Sequence, residues 1–249
     1  MPRPDTPLAQ WFADLTRDLR AKPTVEATLD QACRVAVSTI DHCQSAGVSL
    51  VERRGQVTTA AATDDLAQKA HEIQHELGEG PCMDALWKEQ LVGVDDLVTE
   101  QRWPRFVERG VALGIRSSLS FQLFTHEDTL GALNLFAERP HAFGSDAREI
   151  GLVLAAHAAV ALADARNQAQ LSEAISTRQR IGEAIGILAE RYNITTRDAF
   201  SVLAQASQNH NVRLRDLAAR LVVSEDDARE KAPGDLATDR DAGPPGPSL

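Results

Sequence analysis

His71-Glu-Ile-Gln-His75 reads H-E-x-x-H. On a helix, two histidines four residues apart share a face and could hold Zn²⁺, with Glu72 as the general base of a hydrolase. Gly78 falls where the extended zinc-protease pattern places a glycine, but the third histidine of that pattern would be residue 81, which is Pro81. A motif this short recurs by chance. The pair is therefore read as two surface histidines on a polar helix, no metal site is assigned, and a zinc hydrolase built on His71 and His75 is kept as an outside alternative. Cys82 is read as a small buried apolar residue, with a redox or ligand role as its alternative. Asp95-Asp96 follow a short apolar run as the acids of a phosphoacceptor would, yet no alternating strand–helix pattern surrounds them, so they are read as a helix or turn cap. The sequence holds no G-x-S-x-G, no phosphate-binding P-loop and no dinucleotide fingerprint. No catalytic residue and no cofactor are assigned.

Another chemistry is concentrated near the C-terminus. Between Ser172 and Val222 seven arginines face five acids, a net +2, within a chain of 249 residues whose formal charge is -10. Arginine's planar fork donates in two directions and suits phosphates and base edges. The acidic remainder excludes a wholly basic nucleic-acid coat or a membrane binder acting through bulk charge. Cys33, Cys43 and Cys82 are odd in number and show no C-x-x-C spacing, which argues against a disulfide framework or a four-thiolate zinc site. No run of apolar residues is long enough to span a bilayer, and the N-terminus lacks the apolar core of a signal peptide, so the expected location is cytoplasmic.

The elements that must position these residues follow from periodicity. Leu8, Trp11, Phe12, Leu15 and Leu19 fall at helical spacing, and Thr24 can cap a second helix carrying Val25, Leu29, Cys33, Val37 and Ile40. Segments from Gly47 and Gln56 flank Arg53-Arg-Gly55 as a hairpin. Asp64 to Leu77 reads as a helix, Leu91 to Val94 as a strand, and Trp103 to Leu113 as a helix that tolerates Pro104 in its first turn. In Arg116–Phe124, Leu119, Phe121 and Leu123 share one face, and Leu130–Ala137 returns beside it. About five strands joined by hairpins predict an antiparallel sheet with helices on one face, an α+β architecture.

From Asp146 the chain is helical. Positions 150, 153, 157, 160, 164, 167, 171, 174, 178, 181, 185 and 188 step as a seam with a polar middle at Asp164 and Asn167, as a coiled-coil dimer would use to fix register. One continuous helix and two helices joined near 164–170 both fit. Ile181, Ile185 and Leu188 form one stripe. Thr195 or Thr196 caps a helix with Ala199, Phe200 and Leu203. Leu214, Leu217, Ala218 and Leu221 form a short third helix, and the small Gly182, Ala184 and Gly186 allow a neighbouring helix to come close. A three-helix bundle of this size is marginal alone. From Ser224 to Leu249 seven acids face three bases in a Pro/Gly-rich end, which reads as a disordered acidic tail. The first seven residues, with three prolines, read as frayed.

Glu76-Leu-Gly-Glu-Gly-Pro-Cys-Met-Asp-Ala-Leu86, within its helix–sheet context, resembles the GAF domain, a PAS-like sensory fold with an antiparallel sheet that often holds a ligand pocket or serves as a dimerisation platform. Arg178-Gln-Arg-Ile-Gly-Glu-Ala-Ile-Gly-Ile-Leu-Ala-Glu-Arg-Tyr192, Thr195–Leu203, Ala206–Asn211 and Arg213–Ala218 resemble the ANTAR domain, the RNA-binding output module of bacterial antitermination regulators. The domain organisation this implies is an N-terminal extension at 1–23, a GAF-like sensory or dimerisation domain at 24–165, an ANTAR-like domain at 166–223 and the acidic tail at 224–249. By the same resemblance the chain is a dimeric antitermination regulator with no catalytic chemistry. It would bind a pair of stem-loops in a nascent transcript under control of a small ligand or an upstream signalling protein, the input being unknown. The RNA-binding residues expected are Arg178, Arg180, Arg191, Tyr192, Ser207, Asn211, Arg213 and Arg215. Tyr192 would stack on an unpaired base, its alternative being core packing; the alternative for each arginine is a solvated helix face. The lysine usual in the family's Ala-Lys-Gly step is Ile185 here, whereas Arg213 keeps the charge of another usual lysine. A protein–protein adaptor docking another regulator through the helical seam is the alternative function.

Overall fold

The computed structural model describes residues 8–125 and 128–230. The frayed N-terminus expected over the first seven residues and the tail beyond Glu230 lie outside the described residues. Two compact units divide the chain, Met1–Ala169 and Gln170–Leu249.

The first unit runs α1 (Leu8–Arg20), α2 (Val25–Thr39), β1 (Ser45–Val51), β2 (Val57–Ala62), α3 (Asp65–Leu77), α4 (Pro81–Trp87), β3 (Leu91–Val94), α5 (Pro104–Ala112), β4 (Ser117–Phe124), β5 (Thr129–Ala137), and then into α6 (Ser145–Tyr192). Local chemistry sets the starts and stops. Thr24 and Asp64 cap α2 and α3, each accepting from the backbone N–H three residues on. Pro104 opens α5. Gly78 ends α3 in the left-handed region at φ 64. Asp96 accepts from Val98 N, the capping role expected of the acidic pair.

The strands form one antiparallel sheet in the order β2-β1-β5-β4-β3. Helices cover both faces of it, not one. Val48, Leu50, Leu119, Phe121, Leu123, Leu133 and Leu135 pack with α1, α2 and α6. Val92, Val94, Ala132 and Phe136 pack with α3, α4 and α5. The second face is masked in the sequence because Ser118, Ser120 and Asn134 alternate with apolar residues like a solvent face, although all three are buried.

α6 is one unbroken helix of 48 residues, and the division between units falls within it. Its expected seam is a composite of different faces. Ile150 packs on the first core, His157 Nδ1 lies 2.9 Å from Thr16 Oγ1 of α1, and Asp164 pairs with Arg20 at 3.1 Å. Ile181, Ile185 and Leu188 belong instead to the core of the second unit. Only the middle of the series, including Val160, Asn167, Leu171, Ala174 and Arg178, is exposed.

The second unit packs the end of α6 with α7 (Thr196–Asn209) and α8 (Leu214–Glu230) around Ala184, Leu188, Ala199, Leu203 and Ala218. Thr195 caps α7: its Oγ1 accepts from Asp198 N and donates to the Asp198 carboxylate at 2.7 Å. Asn193 and Asn211, each at φ 50, make the left-handed turns after α6 and α7. α8 is not short. It continues through residues 224–230, where disorder was expected, because glutamate, alanine and arginine there are good helix formers.

Candidate nucleic-acid interface

The bundle core is built from small and aliphatic side chains, and the arginines occupy exposed positions beside it on the same helices and at the turn before α8. Arg178 and Arg180 are exposed on α6, and Arg191 and Tyr192 on its last turn. Tyr192 is 62% exposed, so it does not pack in the core. Arg213 stands just before α8, exposed, its carbonyl accepting the first backbone hydrogen bonds of that helix. Among the described residues Arg178, Arg180 and Arg213 have no ion-pair partner.

Three of the expected residues are committed to the chain itself. Ser207 Oγ donates to the Val212 carbonyl at 2.6 Å, closing the α7–α8 turn. Asn211 supplies the positive φ of that turn, a position that disfavours most side chains. Arg215 bonds Glu173 of α6 at 2.9 Å and lies 3.6 Å from Asp216. Ser207, Asn211 and Arg213 thus cluster at one turn, while Arg215 is drawn to α6. Arg180 lies seven residues after Glu173, on the same helix face. Ile185 is half-buried against the bundle core, which explains why an apolar residue is tolerated where the family usually carries lysine.

Sequence reading missed Phe200 and Arg197. Both are exposed on α7, Phe200 at 45%. Their i, i+3 spacing ahead of Leu203 was the available signal.

The H-E-x-x-H pair in the first unit is not on the surface, which corrects the sequence expectation. α3 turns Ala67, Ala70, His71 and Gln74 into the layer beneath the sheet. His71 is fully buried, with Nε2 3.0 Å from Asn134 Nδ2. His75 stacks on it with ring centroids 5.8 Å apart and places Nε2 3.0 Å from Ser49 Oγ. Asn134 Nδ2 also donates to Cys82 Sγ at 3.3 Å. Glu72 points the other way, into solvent, where it accepts from Gln68 at 2.8 Å. The Nε2 atoms of both rings are engaged with the sheet, and the presumed base is on the wrong face. No three His, Cys, Asp or Glu residues among those described converge as a metal site.

Electrostatics agree with a structural role for this cluster. Burial, with the His75 ring beside it, pushes His71 down to about 3, so the ring is neutral. Burial also lowers His75. The Cys82 thiol is pushed up to about 11 by burial, which leaves no thiolate for nucleophilic chemistry. Among the described residues four buried side-chain polar atoms lack a hydrogen-bond partner, and all lie in this same layer: His71 Nδ1, Asn134 Oδ1, Ser118 Oγ and Ser120 Oγ.

A family model of the GAF domain matches residues 22–163, and one of the ANTAR domain matches residues 169–222. Among solved structures the chain is similar to the GAF domain of a Coxiella burnetii phosphoenolpyruvate-protein phosphotransferase (18% identity, 65% of this chain, 96% of that chain, TM-score 0.52). It is similar also to the GAF domain of the Acinetobacter phosphoenolpyruvate-protein phosphotransferase (15% identity, 65% of this chain, 97% of that chain, TM-score 0.51). A third likeness is to the free methionine-R-sulfoxide reductase of Neisseria meningitidis (19% identity, 63% of this chain, 89% of that chain, TM-score 0.50). At these identities the fold alone is shared. No match was found among curated proteins. No helix among the described residues is long and apolar enough to cross a membrane. The GAF match covers over half of the chain, which therefore belongs to the GAF family and carries behind its GAF domain an ANTAR domain, joining a sensory module to an RNA-binding antitermination module in one regulatory protein.

Proposed function

We propose that this protein is a cytoplasmic, homodimeric antitermination regulator without catalytic activity. Its ANTAR domain, taken as residues 166–223, binds paired stem-loops in a nascent transcript and favours an antiterminator over a terminator hairpin. The observation that carries this reading is the set of exposed guanidinium groups without an ion-pair partner among the described residues, Arg178, Arg180 and Arg213, together with the exposed Tyr192 in the matched domain. Arg191, Ser207, Asn211 and Arg215 complete the proposed surface, Ser207 and Asn211 chiefly by shaping the turn that presents Arg213. The GAF domain, taken as residues 24–165, receives the input.

The test is a filter-binding titration of synthetic two-hairpin RNA across salt. Binding that weakens with salt, and weakens further in Arg178→Ala plus Arg213→Ala, is expected. No binding at low salt sinks the reading. A protein–protein adaptor is the second reading. It is favoured by Leu171 and Ile175, which are 65% and 64% exposed on α6; recovery of protein without RNA in a pull-down would support it.

A further inference from the structure

The second unit contains two aromatic residues, Tyr192 and Phe200, and both are exposed. In the first unit Phe106, Phe121, Phe136 and Phe143 are buried, while Phe124, at the end of β4, is 42% exposed. A small bundle short of core area gains stability by burying an aromatic ring, and Phe200, left 45% exposed, is free for another use.

The surroundings of Phe200 point to that use. Ala199 and Leu203 point α7 into the bundle core. Phe200 stands on the flank beside them, with Arg197 one turn before it and Ala204 and Ser207 one and two turns after it. The Ser207 hydroxyl donates to the Val212 carbonyl, which draws the chain leading to Arg213 onto this flank. Phe200 and Ser207 lie about 10 Å apart along the helix axis. Neither Arg197 nor Arg213 has an ion-pair partner among the described residues. An exposed ring flanked along one side of the bundle by two uncommitted guanidinium groups matches a single-stranded nucleotide segment: a flat base for the ring and phosphates for the cations.

We propose that Phe200 is the stacking platform for one unpaired base of a hairpin loop, with Arg197 and Arg213 holding the phosphates on either side of that base. This deepens the RNA-binding reading and rests on it. It adds two residues outside the set expected from sequence and assigns them to the loop of the hairpin, not to its stem.

The experiment uses the full-length chain and a pool of synthetic two-hairpin RNAs with randomised loops, with a blunt duplex of equal length as control. Phe200→Leu keeps an apolar side chain without the ring. It is expected to weaken hairpin binding about tenfold with an unchanged salt slope. Arg197→Ala is expected to weaken binding and reduce the salt slope by about 1. Phe200→Trp is expected to retain affinity and to show fluorescence quenching that saturates with hairpin RNA and is missing with the duplex. That optical signal decides the matter if Phe200→Leu loses helicity. Wild-type binding that Arg213→Ala weakens but Phe200→Leu leaves untouched overturns this proposal and spares the RNA-binding reading. Absence of any wild-type binding removes both. A Phe200→Leu variant with unaltered RNA affinity but altered self-association assigns the ring to a protein contact and overturns it too.

Discussion

Arg215 on α8 reaches Glu173 on α6 across 2.9 Å, so a side chain expected at the RNA surface is already paired within its own domain. Both groups are well exposed, and such pairs contribute only about 0–1 kcal/mol to stability. Glu173 acts here mainly as a competitor for phosphate. Glu173→Gln is expected to leave the thermal midpoint nearly unchanged and to tighten RNA binding severalfold at low salt, with the gain fading at high salt. Affinities at two ionic strengths check this. If Glu173→Gln leaves affinity unchanged at both, Arg215 lies off the interface.

Acid should weaken the GAF domain through His71. Its folded pKa, about 3, lies below the ordinary value of 6.5, so in that window the unfolded chain binds a proton that the folded chain does not. Stability is therefore complete above about pH 6.5 and is lost as pH falls towards 3, with a slope approaching ~1.4 kcal/mol per pH unit. His75, also lowered, acts in the same direction. Denaturant melts at pH 7 and pH 5 are expected to differ more in wild type than in His71→Asn. Equal pH sensitivity in the two proteins would remove His71 as the cause.

Gly151→Ala offers a test whose sign is informative. Inside an exposed helix this change stabilises by about 1 kcal/mol. Here a Cβ at 151 would run into the ring of Phe121, which is fully buried and cannot yield. A loss of about 1–3 kcal/mol is expected instead, read by chemical denaturation of the full chain. A gain in stability would show that α6 does not rest on β4 as described.

Periodicity and capping made most of the fold legible. The Thr24 and Asp64 caps, Pro104 at the start of α5, and the alternation Leu119, Phe121, Leu123 each correspond to an observed element. What escaped was governed by partners distant in sequence. Ser118, Ser120 and Asn134 look like a solvent face, and only helices brought over them by the chain's return make them a buried layer. His71 and His75 read as surface residues because Glu72 and Gln68 dominate the local polarity, while Ala67, Ala70 and Gln74 mark the side that turns inward. The seam of α6 illustrates a related point: a regular step of three and four residues records burial without saying against what. At the candidate site the arginines were legible as charges. Their availability was not, since Glu173, which engages Arg215, lies 42 residues away.

The state of the three thiols has a practical corollary. Cys33, Cys43 and Cys82 are all buried and unpaired by disulfides, with burial raising Cys33 and Cys43 to about 12 and Cys82 to about 11. Native protein should therefore be inert to maleimides at neutral pH. A single cysteine engineered at an exposed site such as Gln208 would take a dye or spin label cleanly, so spectroscopic rulers can be installed in the wild-type background without first deleting any natural sulfhydryl.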